Sequence, residues 1–186
     1  MNVIDTFSKT LNELSEVLLP VDEANVNRLV EEILNASKIY VAGAGRSLLM
    51  LRCFAMRLMH LGFEVYVVGD TITPAFESGD LLIVGSGSGE TLGSVNVAKK
   101  AKTIGGKVAL ISTRSDSTLA GISDFTIVIP AYTDKVDMPG RKNPTLPGGT
   151  LFEHALLVLG DTMVLPLAEA VGVRTDKPFT KHANLE

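Results

Sequence analysis

The chain has 186 residues, 46% of them hydrophobic and 20% charged, with a formal net charge of −4. That length is enough to bury a substantial core, and the acidic balance argues against a broad nucleic-acid surface. A single cysteine, Cys53, excludes an intrachain disulfide, and its apolar helical surroundings read as a small buried residue rather than a nucleophile. An anionic ligand would have to be held by local geometry, because the overall field does not attract it.

Apolar residues at helical spacing run from Val3 to Leu18, and Pro20 ends that helix. Asp22 is placed to cap a second helix through Leu34. Lys38–Ala42 is a β-branched apolar run leading into glycines. Ser47–Leu61 reads as a helix apolar on most sides, with Arg52, Arg57 and His60 as exceptions, hence buried and partly against another subunit. Strands follow at Glu64–Val68 and Leu81–Val84, then a helix from Thr91 to Ile104, then strands at Lys107–Ser112 and Phe125–Pro130. Such alternation predicts an α/β fold: a three-layer, doubly wound, flavodoxin-like parallel sheet of five strands behind N-terminal helices. Ligands then bind at the carboxyl ends of the strands. The whole chain reads as one domain.

Ala131–Gly149 is rich in Pro, Gly and charge, and so long a connector predicts either function or poor order. Thr150–Val171 is a long apolar helix that Pro166 should kink or break. Glu153, Asp161 and Pro166 interrupt it as a membrane span, and the N-terminus lacks a signal-peptide layout, so a cytoplasmic location is expected.

Four segments carry the candidate chemistry. Gly85-Ser86-Gly87-Ser88-Gly89-Glu90-Thr91 lies between a strand and a helix. Its glycines let N–H groups face an anion, and its hydroxyls add donors, while the missing Gly-Lys-Ser/Thr ending excludes a nucleotide P-loop. Gly43-Ala44-Gly45-Arg46-Ser47 makes a second loop at a second strand end. Leu48 stands where a dinucleotide fingerprint needs its third glycine, so the two loops read better as opposite walls of one cleft. Ser47 is a donor to phosphate or a sugar hydroxyl. Arg46 either neutralises the ligand's charge or pairs with a carboxylate. Glu153, after Gly148-Gly149, opens an otherwise apolar helix, where a carboxylate is commonly just a helix-end charge. His182 lies in a polar tail, where a histidine is ordinarily solvated, whereas His60 and His154 read as structural or interfacial.

Together these residues resemble the sugar isomerase (SIS) domain, and the 6-phospho-3-hexuloisomerase branch of it. The features are Gly43–Ser47, Arg52–Gly62, Gly85–Thr91, Gly149–Glu153 and Lys181–Glu186. Leu48 and Lys181 depart from the branch, where glycine and arginine are more usual. The resemblance implies interconversion of D-arabino-hex-3-ulose 6-phosphate and D-fructose 6-phosphate without metal or organic cofactor. It also implies a homotetramer with sites near subunit contacts, and hexulose-6-phosphate synthase as pathway partner. It makes Glu153 the base, in an enclosed site that shifts its titration toward neutrality, and gives His182, from a neighbouring subunit, the shuttling of protons between oxygens. Arg46, Ser47, Ser86, Gly87, Ser88, Gly89, Glu90 and Thr91 would hold the phosphosugar. The rival readings are an aldose–ketose SIS isomerase, a non-catalytic phosphosugar sensor and a nicotinamide-binding protein.

Overall fold

The structure is a computed structural model that describes residues 2–136, 143–177 and 179–185. Helices α1 (Val3–Leu18) and α2 (Glu23–Asn35) lead into β1 (Ile39–Gly43), α3 (Gly45–Leu61), β2 (Val65–Val67) and β3 (Leu81–Gly85). Then follow α4 (Leu92–Ile104), β4 (Lys107–Ser112), α5 (Thr118–Ile122), β5 (Phe125–Val128) and α6 (Thr150–Ala170). The five strands form one sheet in the order β2-β1-β3-β4-β5, every pair parallel.

Successive strand residues face opposite sides of the sheet, and the burial sorts accordingly. Ile39, Val41, Leu81, Ile83, Ala109 and Ile111 join one core with residues of α1, α2, α3 and α6. Tyr40, Ala42, Leu82, Val84, Val108 and Leu110 join a second core with residues of α4 and α5. Three layers result, and near-continuous apolar strands are the consequence of burial on both faces.

Local chemistry sets the helix ends. Asp22 caps α2, accepting from the Ala24 N–H at 3.1 Å. The short helix α5, which the hydrophobic pattern does not reveal, is capped by Ser117, whose Oγ accepts from the Ala120 N–H. Pro166 does not break α6. The helix continues through it to Ala170, because Leu167 and Ala168 beyond it are buried, and their packing outweighs the missing bond to the Thr162 carbonyl. By length and composition α6 could cross a membrane, but ten of its residues are buried among the other elements. Cys53 is half-buried rather than buried.

The order of strands fixes where a ligand fits. From β1 the chain leaves by α3 toward β2, and from β3 it leaves by α4 toward β4, in opposite directions along the sheet. The crevice at the carboxyl ends of β1 and β3 is therefore the switch point of the fold. The two strands approach closely there: a Cβ on Gly43 would lie 2.9 Å from the Gly85 carbonyl oxygen.

Candidate active site

A small cavity of about 40 Å³ lies at this switch point, lined by Ala44, Ser47, Gly85–Ser88, Thr91, Thr133, Lys135, Gly149, Phe152 and Glu153. The loops after β1, β3 and β5 and the start of α6 thus meet in one place. A larger cavity of about 380 Å³ lies between α4 and the segment after β2. It is walled by Tyr40, Phe76, Leu82, Val97 and Ile104. It contains no carboxylate and no Gly/Ser turn, so the chemistry belongs to the smaller one.

The loop after β3 is built to present donors. The Gly87 carbonyl is turned toward the end of β4, where Thr113 Oγ1 donates to it at 2.7 Å and Ser112 Oγ at 3.3 Å. A trans peptide then directs the Ser88 N–H the opposite way. Ser88 Oγ accepts from the Glu90 N–H and Ser86 Oγ from the Gly89 N–H, both at 3.2 Å. Each hydroxyl so engaged as an acceptor keeps its own proton to donate. Gly89 adopts φ 69°, and a Cβ there would collide with the Ser117 side chain, so glycine is required at the bend.

Three helices begin at this cavity, and none has a capping side chain. The positions that would cap α3, α4 and α6 are Ala44, Thr91 and Gly149, and no side-chain cap bond forms at any of them. Thr91 pairs its hydroxyl with Ser86 Oγ at 3.2 Å instead. By contrast, Asn2, Asp22 and Ser117 cap α1, α2 and α5. The unsatisfied N–H groups of three helix ends, each equivalent to roughly half a positive charge, therefore converge on one point.

Glu153 stands in the first turn of α6 with its side chain 14% exposed. Its Oε2 accepts from Arg46 Nε at 2.5 Å. Oε1 has no hydrogen-bond partner among the described residues. Glu153 is largely enclosed, as the resemblance implies, and a guanidinium lies beside it. Arg46 takes the carboxylate pairing that the sequence left as its alternative, and it does not line the cavity.

Glu90 also departs from expectation. Its carboxylate accepts from the Thr118 N–H at 2.9 Å, at the start of α5. Hydrogen bonds from Thr118, of the side chain first and the backbone second, hold this carboxyl below the usual glutamate range. A charge held there faces α5 rather than an anion in the cavity. Gly89 shapes the turn without lining the cavity.

His182 is not brought to this site. Its ring stacks on His60 with centroids 5.1 Å apart, and His60 stacks in turn on Phe179 at 5.3 Å. His60 ends α3, fourteen residues from Arg46, or roughly 21 Å at 1.5 Å per residue. Within one chain the tail therefore lies at the opposite end of α3 from Glu153. Glu186 and residues 137–142 of the long loop lie outside the described residues. Thr145, farther along that loop, is fastened to α1 through its N–H and hydroxyl on Glu13. Among the described residues no group of three His, Cys, Asp or Glu side chains is arranged to hold a metal ion.

Thr133 and Lys135 are the lining residues that the sequence reading passed over. The available signal was position: both follow the carboxyl end of β5, the edge at which an open α/β sheet binds ligands.

The comparisons agree with this architecture. The SIS domain family matches residues 32–138, more than half of the chain. The chain is 39% identical over 186 residues to a Bacillus subtilis (strain 168) protein named 3-hexulose-6-phosphate isomerase, covering 100% of both. It is 41% identical over 185 residues to a Mycobacterium gastri protein of the same name, covering 100% of this chain and 92% of that one. A solved structure from Methanococcus jannaschii, for which a molecular function of 3-hexulose-6-phosphate isomerase was inferred, superposes with a TM-score of 0.82 at 34% identity, covering 100% of both chains. A glycine- and serine-rich turn at the switch point, uncapped helix ends around it and these full-length similarities agree, and the chain belongs to the SIS domain family.

Proposed function

We propose that the protein interconverts D-arabino-hex-3-ulose 6-phosphate and D-fructose 6-phosphate. The observation that carries this reading is the convergence of three uncapped helix N-termini and a Gly/Ser turn beside Glu153, the one carboxylate among the described lining residues. The helix ends and hydroxyls suit a phosphate monoester, and the carboxylate suits proton abstraction next to a carbonyl. Relatives at about 40% identity over the full length are named for this isomerisation.

The carbonyl moves between C3 and C2. From fructose 6-phosphate, Glu153 takes the C3 proton and leaves a C2–C3 enediolate, and returning a proton to C2 gives the 3-hexulose. Arg46 holds Oε2, so Oε1 is the oxygen offered to carbon. Ser47, Ser86, Ser88 and Thr91 anchor the phosphate, which turns distant binding energy into alignment at C2 and C3. A cavity of about 40 Å³ takes the phosphate end, while the sugar extends toward the mouth. His182 of a neighbouring subunit completes the site there, moving a proton between the two oxygens. A homotetramer provides that neighbour. The product and substrate place the enzyme beside hexulose-6-phosphate synthase in the cytoplasm, in the ribulose monophosphate route of formaldehyde assimilation.

Proton NMR of fructose 6-phosphate with the protein in heavy water tests the reading. Loss of the C3 proton signal, with a 3-hexulose phosphate appearing, is expected from the native protein and not from Glu153→Gln. Exchange at C1 would move the chemistry to an aldose–ketose isomerase. Binding without exchange would make the protein a sensor.

A further inference from the structure

The phosphate site as built from the loops after β1 and β3 contains neutral donors only. Ser47, Ser86, Ser88 and Thr91 carry no charge, and Arg46 is engaged by Glu153. A phosphate monoester near neutral pH carries a charge between about −1.5 and −2. Helix ends offset part of it, and a mobile cation would complete the shell.

The segment after β5 supplies one. Ile129, Ala131 and Thr133 are buried while Pro130, Tyr132 and Asp134 are not, the alternation of extended backbone. The root of this segment is fixed, since Ile129 N–H donates to the Ser112 carbonyl at 2.8 Å and Thr133 is only 2% exposed. The chain then turns at Asp134 and Lys135, and Lys135, itself exposed, lines the cavity with Ser86–Ser88 and Thr91. Its backbone N–H donates to Thr133 Oγ1 at 3.4 Å, while its ammonium has no carboxylate partner among the described residues. Among the described residues, the basic side chains of the neighbouring elements are paired: Arg46 with Glu153, Arg52 with Asp70, Arg114 with Asp116.

We infer that Lys135 is the cation that binds the phosphate of the substrate, reaching over the crevice from the β5 loop. The inference rests on the phosphosugar reading of the site. The ammonium is exposed and unpaired without ligand, so binding both orders it and gives it a partner. Because it meets the phosphate and not the reacting carbons, its contribution lies in affinity.

The test compares the native protein with Lys135→Ala and Lys135→Arg, measuring KM for fructose 6-phosphate, kcat, and the inhibition constant of inorganic phosphate. Loss of a charge-assisted contact should raise KM and the phosphate inhibition constant in Lys135→Ala together, by about tenfold, with kcat changed far less. Lys135→Arg should recover most of the affinity, which a merely structural residue would not do. Unchanged KM and phosphate inhibition in Lys135→Ala would overturn the inference. So would a fall in kcat at unchanged phosphate affinity, which would put Lys135 at the carbons, or a failure of arginine to rescue. A native protein that neither binds fructose 6-phosphate nor exchanges its C3 proton would sink the isomerase reading itself. A native protein that does both, with an alanine variant equal to it, sinks only the role of Lys135.

Discussion

Replacing Arg46 separates two roles that the sequence could not. In the structure the guanidinium holds one oxygen of Glu153 at 2.5 Å, with the arginine side chain 55% exposed and the glutamate 14% exposed. A pair this open to water contributes about 0.2–1 kcal/mol to stability. For a chain of this size such a loss lowers Tm by at most about 4 °C. Activity should respond far more. Without Arg46 the carboxylate can turn away from the substrate carbon, and a misplacement of about 1 Å costs on the order of 10²-fold in rate. Arg46→Ala should therefore lose about two decades of kcat while unfolding within a few degrees of the native protein. Arg46→Lys should fall between, since an ammonium gives charge without the planar fork. Turnover, thermal unfolding and the affinity for inorganic phosphate would be measured on the same preparations. Normal kcat with phosphate affinity lost would refute the reasoning and return Arg46 to the phosphate ligands.

Two further outcomes are expected. Ser88→Ala removes a hydroxyl whose oxygen accepts from the Glu90 N–H and whose proton is free for phosphate. Calorimetric titration should show phosphate binding weakened by roughly 1–3 kcal/mol, and unchanged binding would remove Ser88 from the site. His60 is 3% exposed, and its buried Nδ1 has no hydrogen-bond partner among the described residues. Burial first, then the charges of His182 and Arg57, push its imidazole below the ordinary value of 6.5. The unfolded chain then binds the extra proton, so this contribution is complete above pH 6.5 and is lost as pH falls below it. The tail stacked on His60 should become easier for a protease to cut between pH 7 and pH 5, and His60→Phe should flatten that dependence. An equal pH response in both proteins would exclude His60 as the cause.

Periodicity carried most of the fold. Runs such as Leu81–Gly85, buried on both faces, can only be inner strands, and the glycines after them marked the crevice. Helix α5 was invisible because five residues hold little more than one helical turn and show no pattern. Pro166 left a break open because its local cost is real, while the burial of Leu167 and Ala168 that keeps the helix continuous is a tertiary fact. The Arg46–Glu153 pair spans 107 positions, and nothing in either neighbourhood announces the other. Glu90 was grouped with the phosphate loop because it stands within the Gly85–Thr91 motif, whereas its carboxylate accepts from the Thr118 N–H at the start of α5, a contact across 28 positions. Lys135 was hidden in a loop whose composition suggested function without saying which residue.

An acidic chain that holds a dianion needs positive potential from something other than net charge, and the topology provides it. In a doubly wound sheet every helix that follows a strand begins at the carboxyl edge, so four helix N-termini gather there, those of α3, α4, α5 and α6. Glu90 and Ser117 satisfy the start of α5, which removes its field from the crevice. The other three are left without capping side chains and together amount to roughly +1.5 charges. That nearly matches a phosphate of about −1.5 to −2, with Lys135 to cover the remainder. The carboxylate of Glu153 would cancel part of this field, and Arg46 beside it neutralises that charge locally. In the mechanism we propose, the same pair serves both ends of the substrate: it would steady Glu153 at the carbons, and it would keep that carboxylate from repelling the phosphate that the helix ends attract.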